Sequence, residues 1–307
     1  WQPRFTYTGF RYVQVEGAAP ADRAVPGSAT VEKMEHCFIR NSAQKTGEFS
    51  CDTQFDISDK RDFFNRIDSL ITWAVMSNLQ NVLTDCPHRE KLGWLEETHL
   101  MLPSIMFNFD IVTLLEKVAR DIREAQLDNG LVPDIAPEYT VFSGGFRDSA
   151  EWGSTSILMP WYAYIWYADK RLLEDQYDCM KRYLAYLEST SKNLIANPGL
   201  GDWYDYIKGT PPGESHLTPQ TLTATAYFYY DADTLSKIAK VLGREDDTKS
   251  FSDLAEKIKA AFNKEFFNEK EGYYARNSQC ANAMALYLGL IPEGQKDKVL
   301  EHLVADV

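Results

Sequence analysis

The sequence predicts a mainly α-helical fold built from helical hairpins. From about residue 59 onward, apolar residues recur at the three-, four- and seven-residue spacings of amphipathic helices. These segments are joined alternately by short turns and by long loops rich in Gly, Pro and Asp. No alternation of strands and helices is visible, which disfavours a doubly wound parallel sheet. We therefore predict hairpins arranged in a ring or solenoid, with the long loops gathered at one end.

Residues 1–36 are predicted to be β structure. The run FRYVQVEG has aromatic and β-branched residues typical of a strand, at Phe10, Tyr12, Val13 and Val15. Because one or two strands do not form a stable sheet alone, they must pair with further chain or pack onto helices. Residues 37–58 are predicted to be a linker, followed by a helix capped by Ser58 or Asp59.

The predicted helical domain covers residues 59–307. Its first helix has one apolar face, formed by Phe63, Ile67, Leu70, Ile71, Ala74 and Val75, which we expect to be buried. Further amphipathic segments cover roughly residues 97–125, 150–169, 171–190, 217–242, 247–265 and 278–290. The last residues, KVLEHLVADV, have the pattern of a helix that leads into a further segment, so the chain is expected to be cut from a longer protein.

Charge and composition exclude some functions. The chain has 45 acidic against 32 basic residues, a formal charge of −13, and such a surface repels phosphate backbones, so nucleic acid is not an expected partner. No apolar run approaches the roughly 18 to 20 residues of a membrane span. The five cysteines, Cys37, Cys51, Cys86, Cys179 and Cys280, lack paired spacings typical of zinc sites or disulfide frameworks.

The densest group of reactive residues is TDCPHREKLGWLEE, residues 84–97. In a helix, Glu90, Trp94 and Glu97 would share one face. Acids beside an indole suit a sugar site, because the ring packs on the carbohydrate while carboxylates bind hydroxyls or transfer protons. A solvated charged face is the ordinary alternative, but Pro87 and Gly93 interrupt a regular helix and favour a specifically folded loop.

A metal site is the weaker alternative for this segment. His88 and His99 lack HExxH spacing, and Cys86 has no cysteine nearby in the sequence. We therefore expect neither a metal nor a cofactor.

Three other loops repeat the combination of acids and aromatic residues. One starts a helix with Asp148, Glu151 and Trp152; another, GLGDWYDYIKG, has Asp202, Trp203 and Asp205; and GLVPDIAPEY adds Asp134 and Glu138. A carbohydrate cleft would explain all three loops together. The aromatic run after Trp152 is expected to be core or barrel lining, at Trp161, Tyr164, Trp166 and Tyr167.

These motifs resemble the inverting α-L-rhamnosidases, glycoside hydrolases with an (α/α)6-barrel catalytic domain. TDCPHREKLGWLEE resembles the family signature, and GFRYVQVEG resembles the end of the preceding β-sandwich. EWGSTSILMPWYAYIWYADKRLLED, GLGDWYDY and LTATAYFYYDADTLSKIAKVLGREDD match later stretches in the same order. The resemblance runs from about Phe10 to the end and implies a six-hairpin toroid, incomplete at its C-terminus.

The resemblance also implies roles for individual residues. Glu90 would be the general acid that protonates the leaving oxygen. Asp85, Arg89 and Glu97 would bind rhamnose hydroxyls, while aromatic rings would wall the sugar pocket at Trp94, Trp152 and Trp203. Asp134 is a further candidate for substrate binding.

Two departures from the family pattern affect these roles. Many members have aspartate at the position of Glu97, so either Glu96 or Glu97 faces the sugar. The family's general base lies on a later part of the barrel, beyond Val307, and neither Glu151 nor Asp202 matches its motif. An inverting enzyme needs that second carboxylate about 6.5–9.5 Å from the acid, so this chain alone is expected to hydrolyse poorly.

The expected function is removal of terminal α-L-rhamnose from plant polysaccharides or glycosides with inversion. One alternative is another (α/α)6 glycosidase, such as a glucosidase or an unsaturated glucuronyl hydrolase. Another is a non-catalytic carbohydrate-binding relative. A homodimer is a candidate assembly, and a periplasmic or extracellular location is favoured if the protein degrades polysaccharides.

Overall fold

A computed structural model of the protein describes residues 2–51, 63–203, 205, 207–210, 213 and 215–306. The chain divides into two compact units, Trp1–Gly93 and Trp94–Val307. The predicted cap at Ser58 or Asp59 lies outside the described residues. The predicted domain boundaries at residues 36 and 58 stay predictions.

The first unit contains little regular structure before its one described helix. Strands β1 (Ala18–Pro20) and β2 (Ala29–Val31) pair in parallel, a third short strand, β3, covers Gln44–Lys45, and helix α1 covers Phe63–Asn78. The strand predicted in FRYVQVEG is wrong, because residues 12–16 have no strand assignment. Among the described residues no neighbouring strand supplies ladder hydrogen bonds to this run, and its large side chains are exposed, Tyr12 by 90%.

The predicted apolar face of α1 is buried only in part. Val75 is 8% exposed, whereas Leu70 is 69% exposed and Ile71 is 44% exposed; the other buried residue of α1, Thr72, was not part of the predicted face. The spacing identifies the helix correctly, but burial of an amphipathic face requires a packing partner. The described residues place none against this side.

The second unit is almost entirely helical, as predicted. Its helices are α2 (Leu95–Asn108), α3 (Val112–Ala125), α4 (Ala150–Gly153), α5 (Thr155–Tyr167), α6 (Arg171–Thr190), α7 (Gln220–Val241), α8 (Glu245–Phe266), α9 (Gln279–Tyr287) and α10 (Lys296–Ala305). Its short strands are β4 (Phe109–Asp110), β5 (Phe267–Asn268) and β6 (Tyr273–Tyr274), of which β5 and β6 form an antiparallel pair. Every described helix is either too short or too polar to span a bilayer.

Successive helix pairs organise the described part of this unit: α2 and α3, followed by the packed hairpins α5–α6, α7–α8 and α9–α10. The first helices of neighbouring hairpins pack together, α2 on α5, α5 on α7 and α7 on α9. Burial follows this arrangement, since α7 is buried around most of its circumference whereas α8 buries a single stripe, Ala255, Ile258, Phe262 and Phe266. A helix buried on several sides lies inside a helical layer, and one with a single apolar stripe lies at its outside.

Two predicted helices are interrupted. The segment predicted from 97 to 125 contains α2 and α3, separated at Phe109–Ile111. The Asp110 carboxylate accepts a hydrogen bond from the Val112 N–H at 3.2 Å, a local side-chain bond that competes with helix continuation. The segment predicted from 150 to 169 breaks at Ser154 into α4 and α5.

The aromatic run of α5 is also placed differently from the prediction. Trp161, Tyr164 and Tyr167 are half-buried, and Trp166 is 40% exposed. The buried part of α5 is its beginning, from Thr155 to Pro160, together with Ala163. The large rings therefore lie where the helix leaves the core, because small and aliphatic residues occupy its packed end.

Candidate active site

The first part of the signature forms a tight turn in the first unit. The Asp85 N–H donates to the Leu92 carbonyl at 2.8 Å, and the Arg89 N–H donates to the Cys86 carbonyl at 2.8 Å. Cys86 and Lys91 have positive φ angles, 49° and 60°, which a helix does not allow. Glu90 therefore lies in a turn, and the helical face predicted for Glu90, Trp94 and Glu97 does not form.

The turn brings the predicted catalytic acid beside the predicted sugar-binding groups. The Arg89 guanidinium lies 3.3 Å from a Glu90 carboxylate oxygen and 3.3 Å from the Cys86 sulfur. Ligand atoms of Asp85, Cys86 and Glu90 lie within 4.8 Å of one another. Two carboxylates and an arginine are therefore concentrated on one short turn, which suits binding of sugar hydroxyls.

The thiol in this cluster is held in its neutral form. A hydrogen bond with Asp85 and partial burial raise the pKa of Cys86 to about 11. A metal ligand must be a thiolate, and a closed zinc site takes four protein ligands. The cluster offers three ligand atoms, one fewer than a closed zinc site takes.

The second part of the signature begins the second unit with a buried tryptophan. Trp94 is 8% exposed, and its ring stacks on Phe142 with centroids 5.4 Å apart. Phe146 contacts Trp94 and also meets Trp203 edge to face, with centroids 5.5 Å apart. These four rings form a continuous aromatic layer, next to which Phe142, Arg147, Asp148 and Asn197 help line a cleft of about 510 Å³.

The other two predicted binding residues of this unit are buried. Trp152 is 4% exposed and Asp134 is 0% exposed. One Asp134 oxygen accepts a hydrogen bond from the Ser149 N–H at 2.9 Å, which holds the beginning of α4. Trp203 is 41% exposed, so it presents more ring surface than Trp152. The substrate-binding roles of Asp134, Trp152 and Trp203 stay predictions.

Glu96 and Glu97 both lie in the first turn of α2 and are half-buried. Burial first, and then the charges of Glu151 and Asp202, raise the pKa of Glu96 to about 8. Burial raises the pKa of Glu151 to about 7. The electrostatic coupling assigns Glu96 to a group with Glu151 and Asp202, which we call the acid cluster.

The acid cluster gathers at corresponding ends of successive hairpins. Glu96 starts α2, Glu151 precedes α5 on the short helix α4, and Asp202 lies on the loop before α7. The Thr218 hydroxyl, two residues before α7, donates to Asp202 at 3.3 Å. Sequence reasoning singled out Glu151 and Asp202 by their neighbouring tryptophans, but it left Glu96 and Glu97 undecided.

The sequence profile of the bacterial α-L-rhamnosidase 6-hairpin glycosidase domain matches residues 44–307. The chain belongs to the bacterial α-L-rhamnosidase family. The profile of the bacterial α-L-rhamnosidase concanavalin-like domain matches residues 1–39. The mainly helical, six-hairpin fold expected from the sequence is confirmed.

Proteins named as α-L-rhamnosidases resemble the chain over nearly its whole length. An α-L-rhamnosidase from Formosa agariphila is 29% identical over 100% of this chain and 32% of that protein. The α-L-rhamnosidase structure from Dictyoglumus thermophilum is 37% identical, with a TM-score of 0.79, over 92% of this chain and 31% of that one. The chain therefore spans about a third of the length of these relatives.

A second rhamnosidase structure was solved with a sugar. It is the Streptomyces avermitilis α-L-rhamnosidase complexed with L-rhamnose, 30% identical with a TM-score of 0.75, over 87% of this chain and 24% of that one.

Proposed function

We propose that the protein containing this chain is an α-L-rhamnosidase that hydrolyses terminal α-L-rhamnose from rhamnose-containing glycosides or polysaccharides with inversion. The observation that carries the proposal is the family match over residues 44–307. The geometry supports it, because acids and aromatic rings gather on loops at the helix ends. This composition suits glycoside hydrolysis, which uses a proton donor and a second carboxylate beside a bound sugar.

In this proposal Glu90 donates a proton to the leaving oxygen, while Asp85 and Arg89 bind sugar hydroxyls. The turn supports this division of roles, because Arg89 contacts the Glu90 carboxylate at 3.3 Å and can orient it. Trp94, Trp152 and Trp203 would wall the sugar and its apolar C6 methyl, and Glu97 and Asp134 would bind further hydroxyls. The general base that activates water is not assigned to a residue of this chain.

Substrate class is tested with the full-length protein on a panel of 4-nitrophenyl glycosides. We expect release of 4-nitrophenol from the α-L-rhamnoside, and NMR of the fresh product should show the inverted anomer first. Activity on a glucoside or an unsaturated glucuronide with none on the rhamnoside would assign the protein to another glycosidase class. Sugar binding without hydrolysis of any glycoside would favour a non-catalytic relative.

The role of Glu90 is tested by Glu90→Gln in the same full-length protein. Because the amide cannot protonate a leaving oxygen, we expect a loss of about 10²- to 10⁴-fold on rhamnosides with poor leaving groups and a smaller loss on the 4-nitrophenyl substrate. Glu48→Gln, on an exposed segment of the same unit, is the control. Equal rates for Glu90→Gln and the wild type on both substrates would exclude Glu90 as the acid.

A further inference from the structure

One buried carboxylate in the second unit lacks a structural partner. Glu151 is 2% exposed, and in the part of the chain that the structure describes neither of its oxygens has a hydrogen-bond partner. The Thr223 hydroxyl and the backbone N–H of Glu151 itself lie close enough to lower the pKa of Glu151 in part, but the hydroxyl donates its own hydrogen bond to the Gln220 carbonyl at 2.9 Å. Burial of an acid without a hydrogen-bond partner costs free energy. A ligand that supplies this partner therefore gains binding free energy.

Neighbouring buried acids differ from Glu151 in this respect. Asp134 accepts the Ser149 N–H at 2.9 Å, and Asp231 accepts the Ser154 hydroxyl at 2.7 Å. Each therefore fastens a residue next to α4 with one carboxylate oxygen. Glu151 makes no such bond, although it lies on α4 itself, between Ser149 and Ser154. The kind of hydrogen bond with which Asp134 and Asp231 hold the residues beside α4 is therefore not made by Glu151.

The Glu151 carboxylate faces groups on other loops. Its negative charge raises the pKa of Glu96 and, with a smaller effect than Asp202, that of Cys280. These groups belong to the ends of α2 and α9 and to the loop before α7. The charge of Glu151 therefore reaches the acid cluster at the hairpin ends.

A metal ion does not account for the acid cluster. Among residues 2–51, 63–203 and the described residues after them, the set of three or more ligand atoms within 4.8 Å of one another is Asp85, Cys86 and Glu90. Glu96, Glu151 and Asp202 do not meet that spacing, so one cation cannot bind all three. Groups separated in this way suit a larger ligand that has several polar atoms.

The protonation states of Glu96 and Glu151 indicate which ligand groups the two carboxyl groups can bind. Burial raises the pKa of both Glu96 and Glu151, and the charge of Glu151 raises that of Glu96 further, so the two carboxyl groups do not both ionise readily near neutral pH. A neutral carboxyl donates one hydrogen bond while an ionised one accepts. The two groups together can therefore accept a hydrogen bond from one sugar hydroxyl and donate one to its neighbour.

Building on the proposed rhamnosidase function, we propose that Glu151 and Glu96 form a hydroxyl-binding subsite that selects the substrate by two adjacent hydroxyls of its sugar. Both are specificity-determining residues that contact the sugar, and neither transfers a proton to the leaving oxygen. The subsite belongs to the second unit and adds two residues to those expected to hold the sugar.

The test uses the full-length protein and 4-nitrophenyl α-L-rhamnoside, together with its 2-, 3- and 4-deoxy analogues. We expect Glu151→Gln and Glu96→Gln each to lower kcat/KM on the parent substrate about 10- to 100-fold, mainly by raising KM. At least one deoxy analogue should be discriminated strongly by the wild type and weakly by these variants. Asp231→Asn, the same change of a buried acid to its amide, should keep the wild-type discrimination.

Several results would overturn the proposal. Unchanged discrimination of all three deoxy analogues in both glutamate variants would exclude the subsite, and so would equal effects of Asp231→Asn. A loss confined to kcat that grows with poorer leaving groups would make the pair proton donors instead. If Glu151→Gln does not fold, as judged by circular dichroism, Glu96→Gln decides alone.

If the proposed rhamnosidase function is wrong, the result differs from failure of the subsite proposal. The wild type then hydrolyses none of the four rhamnosides. Titration calorimetry with L-rhamnose then tests the subsite directly, because sugar binding that weakens about tenfold or more in Glu151→Gln supports it. Absence of L-rhamnose binding to the wild type would overturn the subsite as well.

Discussion

Gly153 shows how closely the residues around Glu151 are packed. A Cβ atom at this position would lie 2.2 Å from the Tyr183 hydroxyl oxygen and 2.5 Å from its ring, and Tyr183 is 1% exposed. We expect Gly153→Ala to lower the free energy of unfolding by about 1–3 kcal/mol, measured by urea denaturation. Tyr183→Leu provides the control, and the double variant should be less destabilised than the two single effects added together. If the destabilisation of the double variant equals the sum of the two single effects, the close contact between Gly153 and Tyr183 is contradicted.

At the same scale, sequence reasoning identified acids beside tryptophans but not the direction of every side chain. Glu151 and Asp202 were singled out from the sequence as acids beside tryptophans, while Glu96 and Glu97 could not be separated. Adjacent residues in the first turn of a helix point about 100° apart, so which one meets the cluster depends on how α2 packs. Burial of Trp152 likewise depends on packing that a single sequence does not reveal.

At the scale of elements, one carboxylate organises the loop that leads into α7. Asp205 accepts hydrogen bonds from the backbone N–H groups of His216, Leu217 and Thr218 and from the Ser215 hydroxyl. Burial acts to raise the pKa of Asp205, but these hydrogen bonds outweigh it and lower the pKa. Their stabilisation is present above the ordinary aspartate pKa of about 3.9 and is lost as the pH falls through the lowered value.

Asp205→Ala should therefore loosen residues 215–218 without unfolding the hairpins. We expect faster hydrogen exchange of these amides at pH 7, measured by mass spectrometry, and weaker binding of Thr218 to Asp202. Asp233→Ala removes an exposed ion pair with Lys237, and its effect on stability should stay below about 0.5 kcal/mol. Equal exchange of residues 215–218 in Asp205→Ala and the wild type would contradict this role.

Helices were more predictable than strands or breaks. Helix α6 covers Arg171–Thr190 as its spacing predicts, because its apolar positions form one continuous stripe. The interruption at Phe109–Ile111 was missed, since it depends on one local bond from Val112 to Asp110. The strand expected near Tyr12 was also wrong, because a strand depends on a partner that local sequence does not specify.

At the scale of the whole molecule, buried acids give stability an unusual pH dependence. Burial raises the pKa of Asp134, Glu151 and Asp231, so the folded state retains protons that the unfolded chain releases. Their contribution is fully present below the unfolded pKa values, about 3.9 for aspartate and about 4.3 for glutamate, and is lost as the pH rises through the folded values. For Glu151 the loss extends to about pH 7.

This dependence predicts a measurable difference between the wild type and Glu151→Gln. Between pH 5 and pH 8 the free energy of unfolding of the wild type should fall by roughly 2–3 kcal/mol more than that of the variant. Urea denaturation of the full-length protein at both pH values measures this difference. Parallel curves for the two proteins would show that Glu151 ionises normally in the folded state.

The succession of hairpins also bears on how such a site can change over time. Glu96, Glu151 and Asp202 each belong to a different helix pair or the loop before it. Replacement of one loop can therefore exchange one of the proposed sugar contacts while the neighbouring ones stay in place. Related enzymes can therefore acquire new sugar preferences by changes in one loop at a time.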